Sequence, residues 1–172
     1  DLYLYAIAAL LSGSPREQLP AIRLQLSSDI PLGSGMGSSA ATVAAMLCSV
    51  AEYLDIPLSK QRLFELTHQT ERLQHGRSSG IDPAVCCYGG LIHYDNGQIL
   101  PQKIGLGQGW SLLNSGKPEV TTGIGVEQVR KNFSSSAIWS EFTAVTEQLQ
   151  RKLLSEDPQE LIALIRHNHQ LL

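Results

Sequence analysis

The sequence holds no pairable set of cysteines. Its three, Cys48, Cys86 and Cys87, are odd in number, two are adjacent, and no CxxC spacing occurs. Neither a disulfide framework nor a structural zinc site is expected, and a reducing, cytoplasmic setting is the default. Runs of basic charge are also missing. Thirteen Lys and Arg are interspersed with sixteen Asp and Glu, for a net charge of -3, which argues against a nucleic-acid surface. No apolar stretch reaches membrane-spanning length and no signal peptide is visible, so no membrane partner is expected. Internal repeats and low-complexity segments are absent too.

What is present is a chain of 172 residues, 42% hydrophobic, enough for one compact unit or two small ones with a sizeable core. It opens at Asp1 in an apolar, helix-like stretch and closes at Leu172 still inside a helical pattern. Both ends look cut, and the expectation is a piece of a longer protein.

The stretch Pro31-Leu-Gly-Ser-Gly-Met-Gly-Ser-Ser-Ala-Ala-Thr42 organises the rest. Alternating glycines allow φ > 0 and close approach to the backbone. A helix-like apolar run follows, so free first-turn amides and the positive end of the helix dipole lie next to the loop. Such a place attracts phosphate without a lysine. No Lys follows the last glycine, which excludes a Walker A loop, and Ser38 stands where a dinucleotide fingerprint needs its third glycine. The plain alternative is a glycine-rich turn with Ser38 or Ser39 as N-cap.

Along the chain, Leu2 to Leu11 reads as a buried helix stopped by Gly13-Ser14-Pro15. Ile22, Leu24 and Leu26 alternate with polar residues as in a half-buried strand. Ser38 to Leu54 reads as a buried helix broken at Asp55-Ile56-Pro57. Ser59 begins another, running to about Gln74 with Gly76 as C-cap. Its apolar face is marked by Leu63, Leu66, Thr70 and Leu73, while Glu71 and His75 lie one turn apart in line with Phe64, which by itself suits an exposed ion pair. Asp82-Pro83 reads as N-cap and first residue of a short helix over Ala84 to Tyr88.

Leu91 to Tyr94, Asp95-Asn96-Gly97 and Ile99 to Ile104 read as a hairpin. Trp110 to Leu113 would be a short strand, and three helices would follow over Gly125 to Lys131, Ala137 to Leu154 and Pro158 onward. His68 and His93 suit surface or partly buried sites, Cys86 and Cys87 small packing roles, and Trp110 and Trp139 the core.

Two of these stretches together resemble one family. The glycine stretch resembles the phosphate loop of the GHMP kinases. Glu71-Arg-Leu-Gln-His-Gly-Arg-Ser-Ser-Gly-Ile-Asp82, with Ala84-Val85 and Tyr88-Gly89-Gly90, resembles the mevalonate kinase branch. The chain departs from that pattern at Arg77-Ser78 and at Glu119, keeps Thr121, and has no counterpart of the family's N-terminal lysine or C-terminal glycine motif.

The resemblance implies an α+β fold of the GHMP kinase type. Residues 1–114 would be part of the N-terminal ATP-binding domain, and 115–172 the helical start of the C-terminal domain. It implies ATP and Mg2+ as cofactors and a small-molecule alcohol as substrate, mevalonate first. Phosphomevalonate, sugar or homoserine kinases of the family, or a non-catalytic nucleotide-binding domain, are the alternatives. Gly33, Ser34, Gly35, Met36, Gly37, Ser38 and Ser39 would cradle the phosphates, and Ser39 with Glu71 would ligate magnesium. Asp82 would be the catalytic acid-base group, and His75 and Thr121 would face the substrate pocket. A homodimer would be compatible, and residues 1–172 alone would be weakly active or inactive.

Overall fold

A computed structural model describes residues 1–12, 20–31, 33–76, 78–95, 97–102, 111–113, 116, 120, 122–155 and 158–172. Their element order is α1 (Leu2–Leu11), α2 (Ser38–Tyr53), α3 (Lys60–His75), α4 (Ile81–Tyr88), β1 (Ile92–Asp95), β2 (Gln98–Pro101), α5 (Thr122–Phe133), α6 (Ile138–Ser155) and α7 (Pro158–Leu171). The class is α+β, rich in helix, with one two-stranded antiparallel sheet. The chain divides into two units, Asp1–Pro118 and Glu119–Leu172.

The first unit is a cluster of four helices with α2 at its centre. Val43, Met46, Leu47 and Val50 recur at helical spacing along α2 and are buried, against Ile7 and Leu10 of α1 and Leu63, Phe64 and Leu66 of α3. Truncating a fully buried residue such as Leu47 to Ala would cost roughly 2–5 kcal/mol in lost transfer energy and cavity. The burial of α1 and α2 is one-sided rather than complete. Tyr3, Leu4 and Tyr5 of α1 and Tyr53 of α2 are exposed, because the other helices cover only one face of each. Leu73 likewise lies outside the apolar face of α3, where buried Phe64 and Thr67 stand instead.

The helix ends follow local chemistry. Ser59 Oγ accepts from the Arg62 amide at 3.1 Å, starting α3, and Gly76 ends it at φ 71°. α2 stops in a paired 6→1 and 5→2 closure: the Ile56 amide donates to Ala51 O at 2.8 Å and the Asp55 amide to Glu52 O at 3.2 Å. Asp55 takes the left-handed place usual for glycine, at φ 56°.

Two expected helix starts differ. Neither Ser38 nor Ser39 caps α2; the N-cap is Gly37, left-handed at φ 65°. Nor is Asp82 the cap of α4. That position belongs to Gly80 at φ 87°, with Asp82 in the first turn and Pro83 after it. Pro83 is tolerated there because first-turn amides have no intrahelical acceptor.

The hairpin forms with Asp95 opposite Gln98, but its second strand is Gln98–Pro101 rather than Ile99 to Ile104, and Asn96 of the expected turn lies outside the described residues. Residues 20–30 form no strand, and Leu24 and Leu26 are exposed. Alternation makes a strand only where a ladder partner exists, and among the described residues β1 and β2 pair with each other alone. Residues 111–113 are also not a strand, and Leu112 and Leu113 are exposed. Ile104, Trp110 and the Gly13-Ser14-Pro15 stop lie outside the described residues.

In the second unit α6 packs on α7, with Val145 buried and Lys152 ion-paired to Glu160. Trp139 is not a core residue. It is 43% exposed, its indole N–H donates to Phe133 O at 2.5 Å, and its ring rests on Phe142 at 5.9 Å. An amphipathic ring with its N–H satisfied locally is stable at the surface. No helix among the described residues is long and apolar enough to cross a membrane.

Candidate active site at two glycine-capped helix starts

Gly33, Gly35 and Gly37 all stand in the left-handed region, at φ 73°, 73° and 65°. A Cβ built on Gly33 or Gly35 would meet no atom within 4 Å, so the loop before α2 borders open space. Ser34 closes a turn within it, its hydroxyl donating to Pro31 O at 2.7 Å. The first intrahelical bond of α2 is Ala41 N to Gly37 O at 2.9 Å. The amides of Ser38, Ser39 and Ala40 therefore precede the ladder, at the positive end of the helix dipole.

At the foot of this loop Ser39 Oγ donates to Glu71 Oε1 at 2.5 Å. Glu71 projects from α3 and is 6% exposed, and His75, one turn on, holds Nε2 at 3.9 Å from Glu71 Oε2. The pair is not the exposed surface pair its spacing alone suggests. Gln74 joins it, with Oε1 3.0 Å from Ser39 Oγ. A hydroxyl has one proton, so it cannot serve both acceptors; with the Gln74 amide turned, Nε2 donates to Ser39 Oγ while Ser39 donates to Glu71.

The start of α4 closes the other side. A Cβ on Gly37 would stand 3.5 Å from Asp82 Cβ and Cγ and 3.7 Å from Asp82 Oδ1. Asp82 is exposed and caps nothing. One turn further on, Cys86 Sγ lies 4.0 Å from Gly37 O. Its thiol is pushed above the ordinary value by burial first, then by the charges of Asp82 and Glu71. Burial likewise pushes buried Cys87 up to about 11, against the opposing effect of its contact with the Thr67 hydroxyl.

The structure thus brings Gly37, Ser39, Glu71, His75 and Asp82 around one loop. Thr121 lies outside the described residues. Gln74 escaped the sequence reading, and Cys86, expected in a packing role like buried Cys87, is exposed beside the loop; three residues after Glu71 and four after Asp82 are same-face positions on a helix.

The donor chemistry suits the groups the family implies. Ser39 and Glu71 offer hard oxygens, as a small divalent cation that keeps several waters requires. The open glycine loop before a helix start suits an anion. Among the described residues no three His, Cys, Asp or Glu side chains converge as a metal cluster. A shallow groove of about 210 Å³ lies near the far end of α2, between Ala21–Leu24 and Val50 with Tyr53. Its lining is mostly apolar, and none of the residues above reaches it.

Comparison with known proteins bears on the same residues. The mevalonate kinase of Pyrococcus furiosus is 44% identical over 78 residues, 45% of this chain and 23% of that protein. That of Pyrococcus horikoshii is 40% identical over 97 residues, 56% and 28% respectively. Human mevalonate kinase is 34% identical over 96 residues, 47% and 24%. The matches therefore span about a quarter of these relatives' length. No solved structure matches the chain at a significant level. Residues 2–90 match the profile of the GHMP kinases N terminal domain; that stretch is half of the chain and includes both glycine-capped helix starts, and the chain belongs to the GHMP kinase family.

Proposed function

We propose that the chain is part of an ATP- and magnesium-dependent kinase that phosphorylates a small alcohol, mevalonate to 5-phosphomevalonate before other acceptors. In this reading residues 1–114 are part of the N-terminal, ATP-binding domain and 115–172 the start of the C-terminal domain. The observation that carries it is the placement of a buried carboxylate with a hydroxyl, Glu71 and Ser39, at the foot of an open left-handed glycine loop, with Asp82 against the other side of Gly37. The names of the matched relatives favour mevalonate as acceptor.

Each residue then has a task. The backbone at Gly33, Ser34, Gly35, Met36 and Gly37, with the first-turn amides of Ser38 and Ser39, holds phosphate oxygens. Ser39 and Glu71 hold magnesium, which when bound neutralises charge on the phosphates. Asp82 takes or holds the proton of the substrate hydroxyl as that oxygen attacks. His75 and Thr121 face the alcohol.

Asp82→Asn, made in the full-length protein, tests the reading. Because Gly80 caps α4, the substitution removes only a first-turn charge, and stability should fall by less than about 1 kcal/mol. Turnover of ATP with mevalonate should fall roughly a hundredfold or more, as for a positioned acid-base group. Nearly full turnover in the variant would overturn the role of Asp82. Absence of acceptor-dependent ADP release by the full-length wild-type protein with mevalonate, phosphomevalonate, homoserine and galactose would overturn the kinase reading.

A further inference from the structure

Asp82 owes its direction to residues 78–80 ahead of it, and those residues are held from outside their own helix. Tyr94 on β1 donates its hydroxyl to Ser79 O at 2.6 Å. His68 on α3 places Nε2 3.2 Å from Ser78 O, as a donor when that nitrogen carries the proton. The His68 ring is itself set by Phe64 of the core, at 5.5 Å between centroids. Three further backbone groups are served locally. The Gly80 amide donates to Ser78 Oγ at 3.2 Å, the Ile81 amide to Ser79 Oγ at 3.4 Å, and Gly80 O accepts from the Ala84 amide at 2.9 Å.

The fit at Gly80 admits no side chain. A Cβ there would collide with the Tyr94 hydroxyl and stand 3.1 Å from His68 Cε1, and at φ +87° it would be strained in any case. Successive carbonyls, 78 and 79, are thus pinned by two different elements, and the left-handed turn that launches α4 is fixed between them.

We propose that Tyr94, with His68, is a positioning residue for Asp82: the two clamp residues 78–80 from the hairpin and from α3, and so aim the Asp82 carboxylate at the phosphate loop. Neither side chain forms part of that loop or of the Ser39–Glu71 pair. The inference rests on the proposed role of Asp82 for its kinetic consequence, but the clamp itself is a separate physical claim.

Tyr94→Phe removes one hydroxyl and keeps the ring. Amide exchange at Gly80, Ile81 and Ala84 should quicken about tenfold, the scale of one lost neutral hydrogen bond, with α2 and the remainder of α3 unchanged. Turnover should fall about three- to tenfold through misplacement of the carboxylate, while KM for ATP and the magnesium requirement stay as in the wild type. Unchanged exchange at Gly80, Ile81 and Ala84 would overturn the clamp whether or not the protein is a kinase. Faster exchange with unchanged turnover in an active enzyme would overturn the positioning role. Faster exchange throughout the unit, or an equal loss in ATP affinity, would show a general structural role instead and overturn the proposal as well. His68→Leu, which removes the other pin, should reproduce the local exchange effect at 78–81; failure to do so would remove His68 from the clamp.

Discussion

The starts of α2 and α4 share one device: a left-handed glycine, Gly37 at φ 65° and Gly80 at φ 87°, with no side-chain cap. Their surroundings are opposite. Before Gly37 lies a loop whose other glycines have nothing within 4 Å of a Cβ position. Around Gly80 the same position is filled by Tyr94 and His68. At Gly33 and Gly35 a side chain would meet open space, whereas at Gly80 its place is already taken. One start is open, the other is closed around its own chain and presents a side chain, Asp82, to the first.

Substitution at the two kinds of glycine should break this comparison first and most strongly. Gly80→Ala should cost roughly 2–3 kcal/mol, the left-handed strain of about 1–2 plus the loss of the Tyr94–Ser79 hydrogen bond. Gly35→Ala meets open space and should cost only the strain, about 1 kcal/mol. Thermal unfolding of both variants checks this, and equal losses would erase the distinction. Next comes Gly37→Val, which puts a β-branched residue at positive φ with its Cβ in contact with Asp82. ATP affinity should fall roughly tenfold, about 1.4 kcal/mol, measured by calorimetric titration; unchanged affinity would tell against the loop.

The smallest effect sharpens the electrostatics. Glu71→Gln should raise the magnesium needed for half-maximal turnover several-fold. The same change removes one of the charges that hold the Cys86 thiol up, so its pKa should drop toward the ordinary value. More thiolate then forms at neutral pH, and alkylation of Cys86 should quicken, since the thiolate is the reactive form. Mass-spectrometric labelling would register it, and a slower or unchanged rate would mean that Glu71 does not act on Cys86.

How far the sequence could be read follows the range of the forces involved. Ser59 and Gly76 act within a few residues, and the boundaries they set were legible. Glu71, Asp82 and the glycine loop were legible as motifs, but not the burial of Glu71, which depends on α2 packing over α3. The cap expected at Asp82, and the alternative of a cap at Ser38 or Ser39, both give way to left-handed glycines although Ser and Asp are the better capping residues by preference; those side chains are left for other contacts. The strand expected at Ile22–Leu26 failed because pairing is non-local. Tyr94 and His68 carried no local signal, since their common target, residues 78–80, is reached from two separate elements.

The central claim is that the open glycine loop, and not the closed one, receives the phosphates. Amide hydrogen exchange measured with and without magnesium and ATP tests it most directly. Protection should increase at residues 33–41 on adding the nucleotide, while the Gly80 and Ile81 amides, already bonded to the hydroxyls of Ser78 and Ser79, should change little. No gain at 33–41, or a gain confined to 78–81, would contradict it.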